Sequence, residues 1–420
     1  MACIEYINFI PWIDIHTNEN PTWEQDVSSP KIQKLPQIFW RSGESWAEAN
    51  NWALEKISEN KANQETVKSL MKHLYAYCCF LEEKELDWRH FPMRLSQRAI
   101  VKFRGDLIEK INAGTLASST ARARMGAIIQ FYRYAEIQNF INSPHQMWKE
   151  WPTIIPYYDS VGFQRTMIRA TTDLSIPNRA QTGNLLEDGL LPLSDEHMTK
   201  LMEFTSKNET RELHLMLWTG FLTGARLGSI NTLRIEDLEQ ARCDSYIKEF
   251  SVIRVGPGTT VATKFNVKGE LLVPDFLLRE LKEYAYSTKR LKRESKAQSK
   301  NKSILFLTRR GEPYSANTIS RIMTSLRISA CRAGLKYMER FKFHQTRSTY
   351  GTWLMKLALG VTTVPAAVEF VKHAMLHKHE STTFRYIKFL DNSKGKQEVA
   401  EAFNKSFTGL KNRKWNSHCA

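Results

Sequence analysis

Apolar residues recur every three to four positions along much of this chain, and that spacing predicts a mainly helical protein. In the stretch from Glu65 to Tyr77, the residues Val67, Leu70, Met71, Leu74 and Tyr77 fall on one face. Within 97–111, Ile100, Phe103, Leu107 and Ile111 do the same. Ser118, Ser119 and Thr120 offer an N-cap for a third helix through Ile128, Ile129, Tyr132 and Ala135, which Ile141-Asn142-Ser143-Pro144 closes. The pattern turns helical at Ser45, so residues 45–150 read as an all-helical domain. Ahead of it, Pro11, Pro21, Pro30 and Pro36 break any long helix, and residues 1–44 are expected to form an irregular arm.

Past 150 the periodicity fades. Residues 151–190 carry Pro152, Pro156, Pro177 and Gly183 without a sustained period and read as a linker. Order resumes at Leu191-Pro192-Leu193-Ser194-Asp195-Glu196, a helix start with acidic residues in its first turn. Segments 246–255, 259–265 and 269–273 are β-rich and separated by Gly256-Pro257-Gly258 and by 266–268, which predicts a small antiparallel sheet of hairpins. Residues 289–302 read as a basic loop and 304–307 as a short buried strand, with helices dominating up to 390. In the tail, 391–420, Val399, Ala402, Phe403 and Phe407 make an apolar stripe behind the polar and flexible-looking Asp391-Asn392-Ser393. The fold class expected is mainly α with a small antiparallel β-sheet (α+β): a helical domain, then a mixed domain over 191–390.

Composition narrows the partner. The 420 residues suggest two to three domains, and 42% hydrophobic with 25% charged residues matches a folded, soluble chain. Lys plus Arg is 60 against 44 Asp plus Glu, so the net charge of +16 calls for a polyanion, most simply nucleic acid. No apolar run is long enough to span a bilayer, and the N-terminus lacks the basic region of a signal peptide. Six scattered cysteines without a Cys-x-x-Cys pair fit reduced thiols in a cytoplasm. Two clusters suit phosphate contacts that position DNA without reading bases: Arg122, Arg124 and Arg133 on the third helix, and Lys289, Arg290, Lys292 and Arg293, continued by Lys296, Lys300 and Lys302.

Three short segments carry candidate chemistry. Thr223-Gly224-Ala225-Arg226 sets an arginine behind a glycine bend, from which its planar fork can reach a phosphate. Phe343-His344-Gln345-Thr346-Arg347 puts a histidine and an arginine on one helix face. The last segment runs Met375-Leu376-His377-Lys378-His379-Glu380-Ser381-Thr382-Thr383-Phe384-Arg385-Tyr386. Singly each has a bland explanation: a surface arginine after a helix cap, an accidental His-x-x-Arg, a turn with a core tyrosine. In this order they resemble the tyrosine recombinase (phage integrase) family, with its Arg in a T-G-x-R turn, its H-x-x-R, and its G-H…T-T…Y box. The likeness covers about 190–390 and extends to 45–150, similar to the family's core-binding domain.

The resemblance implies catalytic roles for Arg226, His344, Arg347 and His377, with Tyr386 as nucleophile. It also implies a lysine on a β-hairpin. Lys264 and Lys268 both qualify, and Lys264 is preferred because it lies inside the β-rich run. Three departures stand out: Ser229 replaces an acidic residue three after the arginine, Leu376 replaces the glycine before His377, and the stretch from Gly360 to Val368 is several residues longer than usual.

The chemistry is coherent. A phenol of pKa about 10 is a poor nucleophile at neutral pH. Arginines and an imidazole around a phosphate stabilise both the phenolate and the charge growing on the non-bridging oxygens. Attack yields a 3′-phosphotyrosyl ester, and a lysine protonates the departing deoxyribose oxygen. The ester conserves the bond energy, so no ATP is called for, and cations supplied by side chains make a divalent metal or other cofactor unnecessary. A zinc site is the rival for His373, His377 and His379, the first two standing four apart as if on one helix face. The resemblance thus implies a site-specific recombinase or integrase of a mobile element, acting on double-stranded DNA at specific sites. It would work as a tetramer on paired sites, its tail docked on a neighbour, with or without accessory proteins. The alternatives are a DNA-binding protein on this scaffold that no longer cuts, and a cleave-and-reseal relative such as a telomere resolvase or topoisomerase.

Overall fold

The computed structural model describes the whole chain except residues 16–22, 60–61, 143–145, 159–163, 178–185, 187–188, 246 and 407–420. The chain divides into two compact units, 1–180 and 181–420. Pro21, Ser143, Pro144, Gly183, Tyr246 and Phe407, which entered the sequence expectations, lie outside the described residues.

In the first unit, four helices follow the apolar periodicity: α1 (Ala47–Ser58), α2 (Gln64–Glu83), α3 (Ala99–Asn112) and α4 (Ser118–Ile137). Asn63 caps α2 by accepting from the Glu65 N–H. The stripe residues Val67, Met71, Leu74 and Tyr77 meet Ile100, Phe103, Ile128 and Tyr132 in one core. There the Tyr77 and Tyr132 hydroxyls bond at 2.6 Å, and Tyr132 donates onward to the Trp88 carbonyl. Burial pushes the Tyr77 phenol well above its ordinary pKa, so this pair stays neutral.

The expected irregular arm is instead paired strand. β1 (Cys3–Phe9) runs antiparallel to β4 (Ile32–Phe39), and β2 (Trp12–Asp14) to β3 (Trp23–Gln25). The prolines that exclude a helix do not exclude an outer strand: Pro36 sits within β4 opposite Tyr6. Ile32, Leu35 and Ile38 point into the helical core, and the Asn50 side chain clamps the backbone of Ile38 in both directions. The segment read as a linker likewise forms a hairpin, β5 (Glu150–Tyr158) with β6 (Gln164–Thr172), and Pro152 and Pro156 lie in register within it.

The second unit begins with α5 (Asp195–Asn208), capped by Ser194 as its sequence predicts, followed by α6 (Arg211–Thr223), α7 (Leu227–Thr232) and α8 (Ile235–Glu239). The sheet is smaller than expected: β7 (Arg242–Cys243), β8 (Phe250–Val255) and β9 (Gly269–Pro274). The β-rich residues 259–265 form turns instead: Thr259 and Thr263 bond locally, Thr260 donates to Asp237 of α8, and the Ala262 N–H donates to Thr232 of α7, so none of these groups pairs with a neighbouring strand. Then come α9 (Asp275–Ala285), α10 (Thr288–Glu294), α11 (Ala316–Arg332), α12 (Gln345–Val361), α13 (Val364–Ala374) and α14 (Glu380–Ser406). The segment 304–307 is buried as expected but makes only isolated bridges, Ile304 to Arg234 and Leu307 to Pro313.

The basic stretch after α9 is a helix, and two of its cations face inward. Arg290 is fully buried, donating to the carbonyls of Lys302 and Ile304 and pairing with Glu294. Arg293 donates to the Leu307 carbonyl and pairs at 2.9 Å with the buried Glu212. Both are pins between α10 and 302–307, which corrects their place in the DNA-contacting cluster; Lys289, Lys292, Lys296, Lys300 and Lys302 remain exposed. Removing one partner of a buried pair strands the other charge. Arg293→Ala is therefore expected to destabilise the second unit by about 3–5 kcal/mol, while Lys292→Ala leaves the denaturant midpoint unchanged. Equal midpoints for the two variants would refute the structural role.

The polar stretch Asp391-Asn392-Ser393 is not a flexible joint. It lies inside α14, which runs on past Gly395. Among the described residues, no helix is long and apolar enough to cross a membrane.

Candidate active site

Helix α6 stops at Thr223, with two residues between it and Arg226. Its C-cap Gly224 adopts φ +63°, and a Cβ there would lie 2.4 Å from the Tyr350 ring, so conformation and space both require glycine. The chain turns through buried Ala225 and delivers Arg226, half-buried, to the N-cap of α7. Below this turn α6 packs on α12, close enough that Gly220 faces the Thr346 side chain without room for a methyl.

Helix α12 carries the second motif. His344 stands at its N-cap, half-buried, and Arg347 follows one turn on, 2% exposed. The Arg347 guanidinium donates to the Gly224 carbonyl at 2.6 Å and to the Met375 carbonyl. One side chain thereby ties the Arg226 turn to the turn carrying the third motif.

That third turn ends α13. The Met375 N–H closes the helix on the Val371 carbonyl, Leu376 takes φ +52°, and the His377 N–H returns to the Lys372 carbonyl. His377 is 4% exposed, its Nδ1 shares a 2.9 Å hydrogen bond with Thr383 Oγ1, and its ring stacks near Tyr386 with centroids 6.0 Å apart. Tyr386, on the second turn of α14, is fully buried, its ring lying where a Cβ on Gly351 would come within 2.6 Å. Tyr386 shares one buried apolar cluster with Tyr350 and Met355 of α12, Val371 of α13 and Met375.

The β8–β9 connection closes the same region. Ser229 donates to the Ala262 carbonyl at 2.8 Å, Thr232 accepts from the Ala262 N–H, and Thr260 bonds Asp237. Lys264 lies in a single 3-10 turn, not in a strand. Its neighbour Phe265 is 65% exposed, with the ammonium of Lys264 5.2 Å and that of Lys378 5.8 Å from the ring centre. Lys268, the residue before β9, lines a cleft together with His373, Leu376, His377 and Lys378. The fold thus brings both lysines to the neighbourhood of the His377 turn.

The motif residues, spread over more than half of the second unit, converge on α6, α12 and the α13–α14 turn. Residues 192–393 match the phage integrase family. This segment is thus similar to the tyrosine recombinases.

A solved structure shares the fold, and a second was also matched. The Tn1549 transposon integrase in complex with circular intermediate DNA is 13% identical, with a TM-score of 0.50 over 81% of this chain and 94% of that one. A lambda integrase tetramer bound to a Holliday junction is 12% identical, with a TM-score of 0.48 over 81% of this chain and 76% of that one. A search of curated protein sequences gave no match.

The structure shows how two of the departures from the family pattern are absorbed. Ser229 uses its hydroxyl to hold the connection that carries Lys264. Leu376 makes the left-handed turn that glycine makes without strain. His377 lies beyond the end of α13, so it shares no helix face with His373, which is exposed beside Glu369. Among the described residues no group of three or more His, Cys, Asp or Glu is arranged to hold a metal. Sequence reasoning missed Lys378, whose only signal was its place after the motif histidine. In the first unit, Arg122 is exposed, Arg124 half-buried, and Arg133 paired with Glu150 at 2.6 Å.

Proposed function

We propose that this protein is a site-specific DNA recombinase that cuts and rejoins strands through a 3′-phosphotyrosyl intermediate at Tyr386, in the integration or excision of a mobile element. The observation that supports the reading is the Arg347 bridge, which ties the turn leading to Arg226 to the turn leading to His377. A phosphate there meets two guanidiniums and an imidazole, the donors that offset charge on non-bridging oxygens. His344, at the start of α12, adds a further hydrogen-bonding group. The net charge of +16 and the exposed lysines near α10 suit a DNA duplex. Arg122 and Arg124 are further candidate phosphate contacts, carried by the first unit. Exchange between two sites with paired arms calls for four protomers, and α14, which continues directly from the nucleophile, is the segment suited to reach a neighbour. The Tn1549 integrase, solved with circular intermediate DNA, favours the same partner.

A duplex nicked beside the scissile phosphate tests the proposal, because loss of the short fragment prevents religation. In excess EDTA a denaturation-resistant protein–DNA adduct should accumulate. No adduct, or one that forms only with a divalent ion, would overturn it.

The leaving 5′-oxygen needs a proton, and Lys264 is proposed to give it. Lys264→Ala should slow cleavage by about 10²–10⁴-fold, and a 5′-bridging phosphorothiolate, whose sulfur leaves unprotonated, should restore the rate. Rescue of Lys268→Ala instead would move the role to that residue.

A further inference from the structure

Two residues on different elements are unusual in ways that explain each other. Leu376 adopts φ +52°, where the Cβ of an L-residue crowds its own backbone and which glycine enters freely. A turn of this shape gains nothing from a leucine. The side chain, however, is 8% exposed and belongs to the main core of the second unit, with Ile253 and Leu271 of the β8–β9 hairpin. Across from it, β9 opens on Gly269, where an added Cβ would lie 2.4 Å from Leu376 Cδ2. The leucine fills the space a side chain at 269 would take.

What stands on either side of this contact gives it consequence. Leu376 is flanked by Met375, whose carbonyl receives Arg347, and by His377. Gly269 is preceded by Lys268 and by the connection bearing Lys264. We propose that Leu376 is a positioning residue: seated on Gly269, it fixes the lysine-bearing connection against the His377 turn, so that the proton donor and the phosphate-binding groups keep one relative placement.

The inference rests on the recombinase reading. In the cleavage step the Tyr386 phenolate oxygen bonds to phosphorus, the bond from phosphorus to the 5′-oxygen breaks, and that oxygen takes a proton from a hairpin lysine. Attack and departure are in line, so nucleophile and donor act from opposite sides of the phosphorus. A hairpin free to drift would leave the phosphate bound and the leaving oxygen without its proton.

The full-length protein is compared on two nicked substrates, one ordinary and one with the 5′-bridging phosphorothiolate. Leu376→Ala, which keeps the strained turn and loses the contact, should form adduct about tenfold more slowly on the ordinary substrate, within the range by which contacting residues couple. On the phosphorothiolate it should match wild type, and Leu376→Met should recover the ordinary rate. Gly269→Ala should show the same selective defect, because its methyl displaces the leucine. Placed in a Leu376→Gly background, Gly269→Ala should add no further loss. Equal defects on both substrates, or additive losses in the double variant, would overturn the positioning role. Should Gly269→Ala fail to fold, the Leu376→Ala and Leu376→Met pair decides by the same substrate comparison. Wild type that forms no adduct on either substrate refutes the recombinase reading itself, a different result from an unselective Leu376 defect.

Discussion

Tyr386→Phe should abolish strand cleavage while leaving DNA binding and folding intact. The phenylalanine ring still fills the slot beside Gly351 and His377, so the packing of α14 on α12 and α13 is retained. Only the oxygen that attacks phosphorus is lost. Removing a nucleophile lowers turnover by at least about 10⁴-fold, and no neighbouring group can replace a phenolate that becomes esterified. Adduct from the wild-type protein, digested and mapped, should place the DNA on the peptide containing Tyr386. DNA on any other residue, or full cleavage by the phenylalanine variant, would remove the assignment. The buried position of Tyr386 adds a second expectation. A fully enclosed ring reaches a phosphate only if α14 shifts when DNA binds, so amide exchange in the first turns of α14 should change on a duplex site.

Arg347→Lys should be nearly as damaging for catalysis and, unlike Tyr386→Phe, should also weaken the fold. The guanidinium spans two carbonyls, Gly224 on one turn and Met375 on another, with nitrogens set in a rigid plane. A single ammonium cannot hold both in that geometry. Hydrogen bonds from a charged group contribute about 1.5–3 kcal/mol each, so losing one should lower the unfolding midpoint measurably. Loss of a donor aimed at transition-state charge should slow adduct formation by about 10²–10³-fold. Cleavage near the wild-type rate would show that Arg347 serves only as a tie between turns.

The motif residues are legible in the sequence because the family resemblance rests on side-chain types in a fixed order, and order is a property of the chain. Helices are legible for a similar reason. The stripes on α2, α3 and α4 repeat locally, with a period the backbone itself imposes. Strands are less so. Residues 1–44 and 151–172 mislead because proline excludes helix without excluding an outer strand, and pairing β1 with β4 depends on contacts distant in sequence. Charge is legible as a total and not as a surface. Lys292 and Arg293 are adjacent, yet one is exposed and the other pairs with Glu212 under α10, a difference set by which way the helix packs. The sequence alone determined which candidate groups this protein offers. The tertiary structure decided how they are held: Arg347 reaches two carbonyls at once, Ser229 takes the Ala262 carbonyl, and Leu376 fits on Gly269 only because α6, α12, α13 and β9 meet there. Such contacts join residues with no local relation to one another, and no periodicity along a chain can encode them.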